Sequence, residues 1–167
     1  MARRGRLGWL TVLLLAAAPF GRARAADLPA VLLSGEAKST ATRLAAAQKL
    51  LDEKKWPEAV AELQAVVDTA GDTLVPLEAG RSVQARRLCH ARLAALPPEA
   101  LRLYRDRVEP QARKWLAEAA ATRDAALLRK VVDEAFCSRS GERALDLLGD
   151  LAFERGRFDE AEGWWRS

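Results

Sequence analysis

Residues 149–165 read GDLAFERGRFDEAEGWW, and their reading decides the fold. Gly156 divides two runs of helix-forming residues. Glycine takes the left-handed backbone that commonly ends a helix. Phe158, Asp159 and Glu160 then open a second helix, with two acids placed in its first turn, where they suit the helix dipole. Gly149 and Ala161 are small at positions where two antiparallel helices would approach closely. Leu148 is a core position of the first helix. Phe158 and Trp165 are expected to be large knobs filling the gap between neighbouring hairpins. The stretch is therefore read as a helix–turn–helix hairpin.

The same style of reading extends upstream. Ala, Leu, Arg and Glu dominate, which is helix-forming material. Alternating β-branched runs are missing, so a strand-based fold is not expected. Helices are expected at about 38–54, from Trp56 onward, at 82–96, in a short segment carrying Leu101 and Tyr104, from Pro110 onward, after a cap at Asp124, at 142–155 and from residue 158. Residues 71–80, GDTLVPLEAG, read as a loop, and Pro97-Pro98 as a break. Inward faces are Leu44, Ala47, Leu50 and Leu51; then Ala59, Val60, Leu63, Val66 and Val67; then Ala112, Trp115, Leu116 and Ala119; then Leu127, Leu128, Val131, Val132 and Ala135. The expected fold class is all-α, built of stacked antiparallel helical hairpins.

The first 25 residues, MARRGRLGWLTVLLLAAAPFGRARA, are a separate matter. Arg3, Arg4 and Arg6 precede an apolar run from Leu7 to Phe20, and Ala23-Arg24-Ala25 has small residues where a signal peptidase reads. That layout is a secretory signal peptide, with an uncleaved N-terminal anchor as the alternative. Residues 26–37 are expected to be an extended leader. Of 27 Lys and Arg residues, five lie in residues 1–25, and none of the 23 acids does. After cleavage the chain would carry 22 bases and 23 acids. The basic balance thus belongs to the export signal and gives no argument for nucleic acid. Stable membrane insertion after cleavage is not expected, and the localisation is periplasmic or extracellular.

The chemical candidates are few. His90 is the sole histidine, and its neighbour Cys89 points about 100° away on a helix. Cys89 and Cys137 are either a disulfide, allowed in an oxidising compartment, or two small buried residues. Trp56, Trp115 and Trp165 lie on apolar helix faces, which favours packing over ligand stacking. Trp164 must point elsewhere, toward a following hairpin or a partner. The acid pairs Asp52-Glu53 and Asp159-Glu160 sit near helix ends, as solvated carboxylates do. No Gly-rich phosphate loop, CxxC pair or HExxH motif occurs. Catalytic residues, metal ligands and a cofactor are not expected.

The spacing of Leu148, Gly149, Gly156, Phe158, Ala161 and Trp165 resembles the tetratricopeptide (TPR) repeat, an α-solenoid unit with a period of about 34 residues. Trp56, Ala59 and Leu63 repeat the aromatic–small–apolar core upstream, with Lys54 in place of the turn glycine and Ala46-Ala47 in place of Leu-Gly. Leu63 and Trp165 are 102 residues apart, three such periods. Counting Leu148 as position 7 puts Ser167 at position 26, so the last hairpin is expected to be incomplete, with 38–167 as the helical domain. A wider resemblance covers roughly residues 40–167. The runs LPPEALRLYRDRVEPQARKW and FCSRSGERALDLLGDLAFERGRFDEAEGWW are similar to the N-terminal helical region of exported bacterial proteins that carry a PQQ-binding-like β-propeller downstream. The resemblance implies a non-catalytic scaffold or protein-interaction module, or a unit that docks and orients such a propeller. No propeller repeat occurs here, so the quinone cofactor is carried onto no residue.

Overall fold

The computed structural model describes residues 35–77 and 80–167. The expected signal (1–25) and most of the expected leader lie outside them. The described residues form an all-α architecture with one small hairpin of strands. The elements are α1 (Gly35–Asp52), α2 (Trp56–Ala70), β1 (Leu74–Pro76), β2 (Ser82–Gln84), α3 (Ala85–Ala94), α4 (Pro98–Thr122), α5 (Ala125–Ala135), α6 (Arg139–Glu154) and α7 (Phe158–Trp165). Helix α1 begins at Gly35, three residues before the expected start at about residue 38. No described helix is long and apolar enough to cross a membrane.

Helical periodicity explains which faces are buried. Helix α1 buries Ala37, Thr40, Leu44 and Ala47. Helix α2 starts with Pro57 in its first turn, where the missing N–H costs nothing, and buries Ala59, Val60, Leu63, Val66 and Val67. Helix α1 packs on α2, α2 on α3 and α4, α4 on α5 and α6, α5 on α6, and α6 on α7. One core joins them, with Leu63, Leu93, Tyr104, Leu128 and Leu148 among its fully enclosed large side chains. Leu127 and Trp115 are half-buried against it.

Two expectations are corrected here. The segment 71–80 is not all loop: Val75 pairs with Val83 in an antiparallel ladder flanked by Leu74–Gln84 and Pro76–Ser82. Val75 is buried, while Leu74 and Pro76 face out. Three-residue strands carry too little alternation to be seen as a period. The ladder runs straight into α3. The N–H groups of Ala85 and Arg86 donate to Thr73 and Gly71 oxygens at 2.9 Å, which satisfies donors at the start of that helix.

Pro110 does not open a new helix. It sits inside α4, which runs unbroken for 25 residues. An interior proline costs about 3 kcal/mol. The face Ala100, Tyr104, Val108, Ala112 and Ala119 continues across it and packs on α2, α5 and α6, while Pro110 itself is exposed. Tertiary burial on both sides of the proline outweighs the local break.

The helix ends are set by local chemistry. Asp124 caps α5, its carboxylate accepting from Ala126 N at 2.8 Å and Leu127 N at 3.2 Å. Ser138 caps α6: its hydroxyl accepts from Gly141 N at 2.9 Å and donates to Ala135 O at 2.6 Å. That cap starts α6 three residues earlier than the sequence suggests. Arg123 closes α4 in the left-handed region, at φ 55°.

Candidate functional site: hairpin faces and two grooves

The two hairpins read from the sequence share their turn in detail. Lys54 has φ 56° and Gly156 has φ 72°. Lys54 N donates to Leu51 O and Lys55 N to Leu50 O, at 3.0 and 2.9 Å. Gly156 N donates to Phe153 O and Arg157 N to Ala152 O, both at 2.9 Å. Each donor and acceptor has its counterpart 102 residues on. This paired pattern satisfies the last carbonyls of the first helix and aims the second back along it. Ala59 and Ala161, also 102 apart, are both fully buried. Ala46 departs from Leu148: the alanine is exposed, the leucine enclosed.

The large residues of the last hairpin sit differently from expectation. Phe158 is 61% exposed and Trp165 49%, so neither fills a gap between hairpins. No described helix packs on the outer side of α7, whereas α2 is covered by α3 and α4 and its Leu63 is fully enclosed. Phe153, Phe158 and Trp165 cluster instead, with Phe153 5.3 Å from Phe158 in an edge-on contact and 6.0 Å from Trp165. The roles of the two tryptophans are reversed. Trp164 is half-buried against the core, and its Nε1 donates to Glu160 Oε1 at 3.3 Å. Trp165 lays its indole against Gly149, where a β-carbon would overlap the ring.

Trp164 also walls a groove of mixed polarity, in which Arg86, Arg105, Asp133 and Glu142 accompany the apolar side chains. Two adjoining depressions of about 390 and 470 Å³ share Ala94 of α3, Phe136, Leu145 of α6, and Trp164. His90 lines the second, stacked on Phe136 at 5.1 Å between centroids and 11° between planes. Burial, and then the nearby Arg86 guanidinium, push the His90 imidazole down to about 4. It is therefore neutral at neutral pH, with a polarity suited to packing.

The cysteines are not bridged. Cys89 is fully buried in the core beside Leu93, while Cys137 directs its thiol to His90 O at 3.6 Å. Burial raises both thiols to about 11, so neither is a ready thiolate. Trp56 is half-buried. The acid pairs remain at helix ends. Gln48 donates to Asp52 at 2.9 Å, Lys55 pairs with Glu53 at 2.7 Å, and Arg157 pairs with Glu160 at 2.7 Å. The Lys55 hydrogen bond and charge lower the Glu53 carboxyl. Among the described residues no three His, Cys, Asp or Glu side chains converge as metal ligands would.

A second groove, of about 710 Å³, runs between α4 and the start of α6. Its wall carries Arg102, Arg105, Glu109 and Arg113 from α4 and Arg139 from α6. The α4 residues follow one helix face at steps of three and four. Sequence reasoning missed this wall because it ended a helix at Pro110, in the middle of the stripe. Glu109 is already engaged: it accepts from Arg139 N at 3.1 Å, Ser140 N at 3.4 Å and Ser140 Oγ at 2.8 Å, at the start of α6. A carboxylate there complements the positive end of the helix.

Neither protein-family models, nor characterised proteins, nor solved structures give a match to this chain.

Proposed function

We propose that the chain is an exported, non-catalytic scaffold of stacked tetratricopeptide-like helical hairpins that binds protein partners. The observation that carries this reading is the repeated hairpin turn, with its left-handed residue and both hydrogen bonds reproduced 102 residues apart, at Lys54 and Gly156. A helical repeat has surface to offer along its grooves, and the groove walled by Ala94, Phe136, Leu145 and Trp164 offers apolar side chains set among charged ones. Export rests on the N-terminal sequence alone, with its basic start, apolar run and small-residue site.

The test is in-cell photocrosslinking from a probe at Ala94, which is exposed on the groove wall. A discrete adduct with one partner, weakened by Trp164→Ala, is expected in the envelope fraction. Adducts no stronger than those from a probe at exposed Glu118 would count against the reading.

A second reading makes the unit a dock for a β-propeller. The exposed Phe153, Phe158 and Trp165 face favours it, since such a patch suits contact with a further domain. A coding sequence that continues into strand repeats bearing Trp and Gly would support this version, and a clean stop would sink it.

A further inference from the structure

We infer that the groove between α4 and α6 receives an acidic peptide segment of a partner protein, gripped by its carboxylates at Arg105 with Arg102 and Arg139. The inference rests on the interaction-module reading and names the partner's chemistry. Arg105 is the anchor. It is half-buried, and its Nε donates to Cys137 O at 3.0 Å, which orients the guanidinium plane. Among the described residues no carboxylate lies within ion-pair distance of it.

The groove is lined by four arginines and two acids, so it holds surplus positive charge. Glu109 is turned to the start of α6, and its one ion-pair contact, to Arg113, is long at 4.0 Å. A half-buried guanidinium without a counterion is an oriented fork, and a carboxylate can take two parallel bonds from it. Leu96, Pro98 and Leu101 form an apolar wall in the same groove. That wall selects a ligand carrying aliphatic groups beside its carboxylates, which a bare inorganic anion lacks. The volume, about 710 Å³, accommodates a few peptide residues.

The test is fluorescence anisotropy on the mature protein with a labelled peptide of alternating Glu and Leu. A Gln–Leu peptide of the same length is the neutral counterpart. The acidic peptide is expected to bind about tenfold more tightly, and to weaken with salt. Arg105→Gln should cost about tenfold and Arg102→Gln with Arg139→Gln a similar loss, while Arg105→Lys keeps the charge, loses the fork and falls between. Arg107→Gln makes the same charge change on α4 outside the groove and should leave affinity within about twofold. Circular dichroism melts establish that each variant is folded. Equal binding of the two peptides, an equal loss from Arg107→Gln, or full competition by inorganic phosphate would overturn the inference. So would failure of the acidic peptide to bind at all. If the Ala94 probe still captures its partner in that case, the module reading stands and only this inference falls.

Discussion

The indole of Trp165 rests on Gly149, so closely that a β-carbon at residue 149 would overlap Nε1, Cδ1 and Cε2 of the ring. This contact seals the α6–α7 hairpin near the end of its second helix. Gly141 is just as tight, but its neighbours are the carbonyls of Ala135 and Phe136. A half-exposed ring can swing away, whereas backbone at a helix junction cannot. Gly141→Ala should therefore lose about 2 to 3 kcal/mol, in the range of overpacked cores. Gly149→Ala should lose about 1 kcal/mol or less, because alanine's better helix propensity offsets part of the displaced contact. Urea unfolding of the two variants checks the order. The tryptophan emission of Gly149→Ala should also shift to the red as Trp165 is freed, and an unshifted spectrum with equal losses would contradict the account.

The matched turns make opposite predictions for two substitutions 102 residues apart. Lys54 occupies the left-handed region at φ 56°, where a β-carbon is unfavourable. Gly156 occupies it at φ 72°, with nothing within 4 Å of where a β-carbon would stand. Its exchange thus isolates the backbone effect. Lys54→Gly is expected to stabilise the protein by up to about 1 kcal/mol, and Gly156→Ala to destabilise it by about 1 kcal/mol. Thermal or urea midpoints measure both. A loss on Lys54→Gly would mean the lysine side chain holds the turn in some other way.

What was legible in the sequence depended on the reach of each signal. The α1–α2 turn and the Asp124 cap were readable because their causes lie within a few residues. Gly156 was readable for the same reason. The break assigned to Pro110 failed because burial of Tyr104, Val108, Ala112 and Ala119 acts over the whole of α4. The β1–β2 hairpin was lost because only Val75 of β1 is buried, which leaves no pattern to detect. Adjacent Trp164 and Trp165 must face different ways, but sequence spacing alone did not say which faces the core. Glu160, four residues before Trp164 and bonded to its Nε1, was the available clue. The arginine groove needed a continuous α4 before its stripe could be seen.

The two cysteines have a simple titration. Both are free, and burial raises both thiols to about 11. At pH 8 the thiolate fraction of each is then on the order of one in a thousand. Slow reaction with a thiol-specific disulfide reagent is expected in the native protein. Two equivalents per chain should react at once in denaturant without reductant. If no thiol appears until reductant is added, Cys89 and Cys137 are bridged and the assignment of free thiols is wrong.

His90 should make the protein acid-sensitive over a defined window. Its imidazole titrates near 4 in the fold and near 6.5 when free, because burial against Phe136 and α5 disfavours the cation and Arg86 of α3 repels it. Asp133 of α5 lines the same depression as His90, while Glu134 lines another with Gln64 and Asp68. The Asp133 backbone beside His90 favours protonation, and burial raises the Glu134 carboxyl. As pH falls below about 6.5 the unfolded chain takes up the His90 proton and the folded chain does not, so stability declines. The decline is complete near pH 4 and amounts to at most about 3 kcal/mol. The raised Glu134 works in the opposite direction as pH falls toward its free value, so the wild-type curve alone is not diagnostic. The difference between wild type and His90→Gln isolates the histidine. Urea midpoints at pH 7.5 and 4.5 should fall further for wild type than for the variant. Parallel falls would show that His90 is solvated and carries no such penalty.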